Sequence, residues 1–223
     1  MHSFIIKNTL TEAEENYLIS RFSDCMKFFK VPEQDIEELY DRLYFEYSAW
    51  SRLYHNLSHI YSLLRLSEQY RSKLNNPFVV DLAIWFHDIV YDASKKDNEL
   101  QSAILFEDLM RPFIEKEVVE MVRSLILSTY GHKPLIPDDN DHQFFLDFDL
   151  SILASDRETY RIYSDAIREE YKSLFSFLVY NGGRKKVLHA FLDRKMLYFS
   201  EHFRSNCEAM ARQNLEWEIL YLG

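Results

Sequence analysis

Glycine and proline are scarce in this chain, at 4 and 5 of 223 residues. An average chain would carry roughly 12% of the two together. Strands joined by tight turns depend on both residue types, so the shortage excludes an all-β sandwich or barrel. It also leaves no glycine cradle for phosphate: neither GxGxxG nor GxxxxGK[ST] can be written in the sequence. Cysteine is nearly absent too. Cys25 and Cys207 show no CxxC spacing and build no disulfide framework, which reads as two reduced thiols in a cytoplasmic protein. No apolar run reaches the roughly 18 residues of a membrane span, and the longest candidate, 78–90, is interrupted by Asp81, His87 and Asp88. Residues 1–10 lack the cationic start and apolar stretch of a signal peptide. Positive charge is in deficit: 26 Lys and Arg stand against 36 Asp and Glu, a formal charge of −10. That balance argues against a nucleic-acid duplex as partner, because a phosphate backbone demands a basic surface.

What is present is helix-forming and apolar. Hydrophobic residues make up 47% of the chain and aromatics 16%, ample for a core. Thr11 followed by Glu14 forms a capping-box pattern that opens a helix running to about residue 30. A second helix starts at Pro32, with Ile36, Leu39, Leu43 and Tyr47 at helical spacing. Further helices are expected over 56–74, 78–90, 96–110, 117–130 and 144–153, with a break at Asn75-Asn76-Pro77 and a loop over 131–141. The 78–90 segment is apolar almost all round, the mark of a buried central helix. Residues 156–180 read as one long helix ended by Asn181-Gly182-Gly183, followed by helices over 184–199 and 205–222. The expectation is a single all-α domain over 1–223, with its motif core at about 45–155 and C-terminal helices over 156–223.

Four histidines, His2, His142, His189 and His202, stand singly and read as surface or packing residues. Others cluster. His55 and His59 are four apart, a spacing that puts two imidazoles on one helix face. His87 and Asp88 are consecutive at the end of the most apolar helix, where an ionised carboxylate is costly unless compensated. A divalent metal compensates it by taking neutral imidazole and carboxylate together. Asp92 lies four beyond Asp88, on the same face if the helix continues. Asp147 and Asp149 are carboxylates in another apolar segment. For an anionic substrate the candidate positive groups are Arg52, His132 beside the acidic loop, Arg168 and Arg184.

The order His, His-Asp, distant Asp resembles the HD-domain metal-dependent phosphohydrolases, nearest to small bacterial members predicted to be such hydrolases. The resemblance rests on Tyr54-His55-Asn56-Leu57-Ser58-His59-Ile60, Trp85-Phe86-His87-Asp88-Ile89-Val90-Tyr91-Asp92 and Asp147-Phe148-Asp149-Leu150-Ser151-Ile152-Leu153. Fainter echoes lie in Asp97-Asn98-Glu99, Ile167-Arg168-Glu169-Glu170-Tyr171 and Gly183-Arg184. The first motif is also similar to the Tyr-His-Asn-x-x-His of cyclic nucleotide phosphodiesterases. That likeness implies His59, His87, Asp88 and Asp149 as metal ligands and His55 as the acid that protonates the leaving oxygen. It favours Asp149 over Asp147 through the Asp149-Leu150-Ser151 match. Where phosphodiesterases place a further histidine after His-Asp, this chain has Tyr91-Asp92, as the small bacterial group does; Asp92 is then a catalytic candidate that holds a second metal or its water. The glutamine region that clamps a purine has no counterpart.

The resemblance implies hydrolysis of a phosphate ester of a small molecule, a nucleotide by expectation, by hydroxide generated at the metal. The alternative is a catalytically silent sensor that binds metal or nucleotide. Mixed nitrogen and oxygen ligation suits Mn, Fe, Co, Ni or Zn, with room for a second ion such as Mg. Substrate contacts are expected from Arg52, His132 and Arg168. No membrane partner is expected, and the Tyr- and Phe-rich C-terminal helices offer a surface for a homodimer.

Overall fold

A computed structural model describes residues 10–223. His2 and most of the segment read for a signal peptide lie outside the described residues. Ten α-helices follow one another: α1 (Glu12–Phe28), α2 (Glu33–Tyr47), α3 (Leu57–Gln69), α4 (Pro77–Phe86), α5 (Asn98–Met110), α6 (Lys116–Ser128), α7 (Asn140–Asp149), α8 (Arg157–Tyr171), α9 (Phe177–Leu192) and α10 (Glu201–Tyr221). Two short 3₁₀ turns, Arg71–Lys73 and Leu150–Ala154, are interposed, and the described residues contain no strand. The chain is all-α, and one hydrophobic core runs from Leu18 in α1 to Leu222 beyond α10.

Side chains chosen for capping start several helices. The capping box at α1 forms: Glu14 N–H donates to Thr11 Oγ1 while Thr11 N–H donates to Glu14 Oε2 at 2.8 Å. Asn56 caps α3, Asp139 caps α7, Asp156 caps α8 and Ser200 caps α10. Helix α4 is the expected central helix, buried from Val79 through Phe86 and packed against α1, α3, α5, α6 and α7. Its one charged residue, Asp81, accepts from Arg21 at 2.7 Å, from Arg71 at 3.0 Å and from Ser67. These bonds tie α1 and α3 to α4 and satisfy a carboxylate that could not otherwise be buried.

The long helix expected over 156–180 is two helices. α8 stops at Tyr171 and α9 begins after Ser176, which has extended backbone. Asn181, Gly182 and Gly183 do not end a helix either; they lie inside α9. Neither glycine takes a positive φ, so neither terminates the helix in the left-handed way that glycine permits. Asn181 is buried and donates to the Leu222 carbonyl at 2.9 Å. Three residues on, Arg184 holds Glu218 of α10 through Nε at 2.8 Å and Nη2 at 3.0 Å. These polar anchors pin α9 along α10 and override the local breaker signal.

The Arg184–Glu218 pair makes a testable statement about stability. Burial alone would raise the Glu218 carboxyl, but its hydrogen bonds and charge attraction with Arg184 reverse this and hold it below its ordinary 4.5. An acid depressed in the folded state contributes stability above its ordinary pKa and loses it as pH falls through that range. Melting temperature should therefore fall as pH drops below about 4.5, with this slope flattened in Glu218→Gln. The variant should also lose about 3 kcal/mol at neutral pH, because Arg184 is left buried without its charge partner. Chemical denaturation across pH checks both; an unchanged slope in the variant would show that the pair does not set it.

Candidate metal centre and its cavity

Three helices bring the cluster together. His59 projects from the first turn of α3, His87 caps the C-terminal end of α4, and Asp149 closes α7. One ligand atom from each lies within 4.8 Å of the others, the geometry of a metal-binding group. The Nε2 atoms of His59 and His87 are 3.3 Å apart. Asp149 Oδ1 stands 3.3 Å from His59 Nε2 and 3.8 Å from His87 Nε2. Asp88 Oδ2 stands 3.0 Å from His87 Nε2 and 3.9 Å from His59 Nε2. The four residues expected as ligands are therefore adjacent, with nitrogen and oxygen atoms facing one another.

The chemistry of this donor set fits a divalent cation. His87 Nδ1 lies 3.0 Å from the Ile84 carbonyl, which can only accept. Nδ1 therefore carries a proton, which leaves Nε2, the atom that faces the cluster, to give up its own proton and ligate a cation, as an imidazole held by an outer partner does. Burial opposes a charge on His87, yet Asp88 and Asp149 outweigh burial and push it up to about 9. His59 goes the other way: burial lowers it, and Asp149 only partly compensates. Burial would raise Asp149, but hydrogen bonds from His132 and His59 hold it well below the ordinary carboxylate range. Two ionised carboxylates in a largely buried place call for positive charge beside them.

His55 sits just outside the cluster, in the loop that Asn56 closes, so the helical i,i+4 argument does not apply to it. It reaches the site by other means. Its Nδ1 bonds Glu170 Oε2 of α8 at 2.7 Å, and its ring stacks on Tyr91 at 4.1 Å between centroids. Glu170 Oε1 also accepts from the backbone N–H groups of Leu53, Tyr54 and His55. Tyr91 donates to the same carboxylate at 2.8 Å. Glu170 therefore fixes both the loop and the ring, and leaves Nε2 of His55 for the cavity that this residue lines. Burial opposes protonation of His55, but the charge of Glu170 and its hydrogen bond raise its pKa above 6.5.

Glu170 was not singled out by the sequence except inside an echo. A signal existed: it falls on the apolar face of α8 with Tyr160, Ser164 and Ile167, where a carboxylate is as unexpected as Asp88 in its own apolar setting.

Other candidates are placed differently. Asp147 is buried but faces away from the cluster, accepting from the N–H groups of Phe199 at 2.7 Å and Ser200 at 2.8 Å. It fixes the entry to α10, which leaves Asp149 as the cluster carboxylate. Asp92 is a correction. Because α4 ends at Phe86, no helix carries Asp92 onto the face of Asp88. It is exposed and accepts from the N–H and hydroxyl of Ser94 in a local turn. It belongs neither to the cluster nor to the cavity lining.

Arg52 is a second correction. Its buried guanidinium donates to the carbonyls of His55, Asp88 and Ile89. It positions the two segments that carry His55 and Asp88, and it is not among the residues that line the cavity. Arg168 is a third, lying over the Phe177 ring at 4.3 Å and outside the cavity lining.

His132 does reach the site: its Nε2 is 3.0 Å from Asp149 Oδ2. Its backbone is left-handed, with φ of 48°, directly after Gly131 at 73°. A non-glycine residue there is strained by roughly 1–2 kcal/mol. Arg194 holds the turn by donating to the carbonyls of Gly131 at 2.8 Å and His132 at 3.1 Å. The strained turn aims an imidazole at Oδ2 of Asp149, the oxygen turned away from His59. The sequence expected this histidine at substrate; in the structure it braces Asp149.

The cluster opens on a cavity of about 820 Å³ lined by His55, His87, Asp88, His132 and Asp149. Lys95 and Lys96 also line it, and Tyr54, Tyr91, Tyr163 and Tyr171 form aromatic walls. Compared with family models, curated proteins and solved structures, the chain finds no match. The site's own chemistry therefore carries its functional reading.

Proposed function

We propose that this protein is a metal-dependent phosphohydrolase of the HD-domain kind, acting on a phosphate ester of a small molecule. The observation that carries the reading is the convergence of His59, His87, Asp88 and Asp149 beside a cavity that His55 and its Glu170 partner also serve. Two imidazoles and two carboxylates suit Mn, Fe, Co, Ni or Zn, and the absence of cysteine from the set speaks against a structural zinc site. When bound, such an ion supplies a water of lowered pKa as nucleophile and neutralises charge on the phosphoryl group. His55 donates a proton from Nε2 to the leaving oxygen, Glu170 keeps that ring cationic and in place, and Tyr91 limits its rotation. His132 holds Asp149, and Lys95 and Lys96 add positive charge at the cavity in place of Arg52.

A silent sensor would need the four donors but no acid. The His55–Glu170 pair favours turnover. No helix of the described residues is long and apolar enough to cross a membrane. The thiols of Cys25 and Cys207 are free, which suits the reducing cytoplasm.

Elemental analysis of the purified protein, with hydrolysis of chromogenic phosphomonoesters and phosphodiesters in added manganese, tests the proposal. Stoichiometric divalent metal and metal-dependent turnover are expected. Metal bound without turnover of any ester would return the sensor reading. No metal, and no gain in melting temperature on adding it, would overturn both.

A further inference from the structure

The cavity continues away from the cluster into a chamber that the proposed chemistry does not use. Its walls come from the Leu150–Ala154 turn and from α8, α9 and α10. Leu153, Ile167, Leu188 and Leu215 form the deep part, with Leu188 1% and Leu215 0% exposed. Phe175, Val179 and Val187 form an exposed apolar rim. Tyr54 links the two ends, its ring 4.9 Å from His59 and 4.6 Å from Tyr163 of α8.

Several of the chamber's polar side chains are already bonded to protein, and the buried Tyr180 hydroxyl is left as a place for a single polar group. Arg184 holds Glu218 through two nitrogens, and its Nη2 also meets the Tyr163 hydroxyl at 3.5 Å. Thr129 donates to the Ile126 carbonyl, and Tyr91 to Glu170. A ligand bearing several polar groups would strip them of water here and find few partners, which costs affinity. An apolar ligand meets no such cost and gains in proportion to the area it buries. The volume of about 820 Å³ is that of a pocket for an organic molecule of drug size, far more than a phosphoryl group needs.

We infer that the phosphate ester held at the cluster has an apolar alcohol portion, an alkyl or ring-bearing hydrocarbon that fills this chamber. The inference rests on the hydrolase reading for its phosphate end. The chamber itself makes the separate statement that hydrocarbon, rather than a nucleoside with its many hydrogen-bonding edges, is the favoured occupant. The apolar rim lets such a group enter without crossing a charged barrier. Lys95 and Lys96 line the same cavity and suit the anionic head.

Binding of non-hydrolysable ethyl-, butyl-, hexyl- and octylphosphonate to the manganese-loaded full chain, followed by calorimetry, tests this without requiring turnover. Affinity should rise roughly fourfold per added methylene, about four-thousandfold from ethyl to octyl. Val187→Asp should flatten the series while leaving ethylphosphonate binding nearly unchanged. Val187 is 47% exposed, so the substitution does not threaten the core. Affinity independent of chain length, or adenosine monophosphate binding as tightly as octylphosphonate, would overturn the inference and leave the hydrolase reading intact. A chain-length series in binding, with no hydrolysis of the matching alkyl phosphates, would instead overturn the hydrolase reading and leave the chamber's preference standing.

Discussion

Replacing His87 by alanine is expected to leave the protein folded, to strip it of divalent metal and to abolish ester hydrolysis. His87 is the residue most committed to the cluster. Its Nδ1 proton is held by Ile84, and its Nε2 faces His59, Asp88 and Asp149. Loss of an outer-shell partner alone typically costs about 10–100-fold in metal affinity or activity. Removal of a direct donor should exceed this. The fold should survive because α4 is buried against five other helices and His87 only caps its end. Elemental analysis and circular dichroism of the same sample give the answer. Metal retained at wild-type stoichiometry in His87→Ala combined with Asp88→Ala would place the ion elsewhere.

Glu170→Gln should give the second largest effect, in a different way. The amide still accepts from the backbone of Leu53, Tyr54 and His55, so the loop should hold, but the negative charge beside His55 is gone. The loss in kcat should approach the roughly 10²–10⁴-fold that a positioned acid contributes, with KM little changed. The pH profile supplies a sign. Glu170 raises the pKa of His55, and the acid must be protonated to act, so activity falls as pH rises through that raised value. Without the charge, the alkaline limb should move to lower pH. Metal content should be unchanged, which separates this variant from His87→Ala. An unmoved alkaline limb would mean that His55 is not the acid.

Asp88 and Asp149 stood out in the sequence because each broke a local rule, whereas His59 was marked only by its spacing from His55 and by the motif likeness. A His-Asp pair at the end of an apolar helix and carboxylates in an apolar segment are costly unless something compensates them. The reason attached to His55 was nevertheless mistaken. It shares no helix with His59 and reaches the site because Glu170, more than a hundred residues on, holds its loop. Arg52 and Arg168 show the opposite failure. Positive charge close in sequence to a motif says nothing about where a long side chain finds its acceptors. Here the acceptors are main-chain carbonyls for one and an aromatic ring for the other.

Scarce glycine and proline, helical spacing of apolar residues and the Thr11 capping box determined an all-α chain before any packing was known, because these are local properties of the backbone. Tertiary structure alone decided the rest. It broke the 156–180 segment into two helices and carried α9 through two glycines, since anchors to α10 outweigh a local stop signal. It also separated Asp149, which the motif match already favoured, from Asp147, turning one carboxylate to the histidines and the other to the backbone of Phe199 and Ser200. Directions of side chains more than a helical turn apart are set by packing, and no spacing along the chain encodes them.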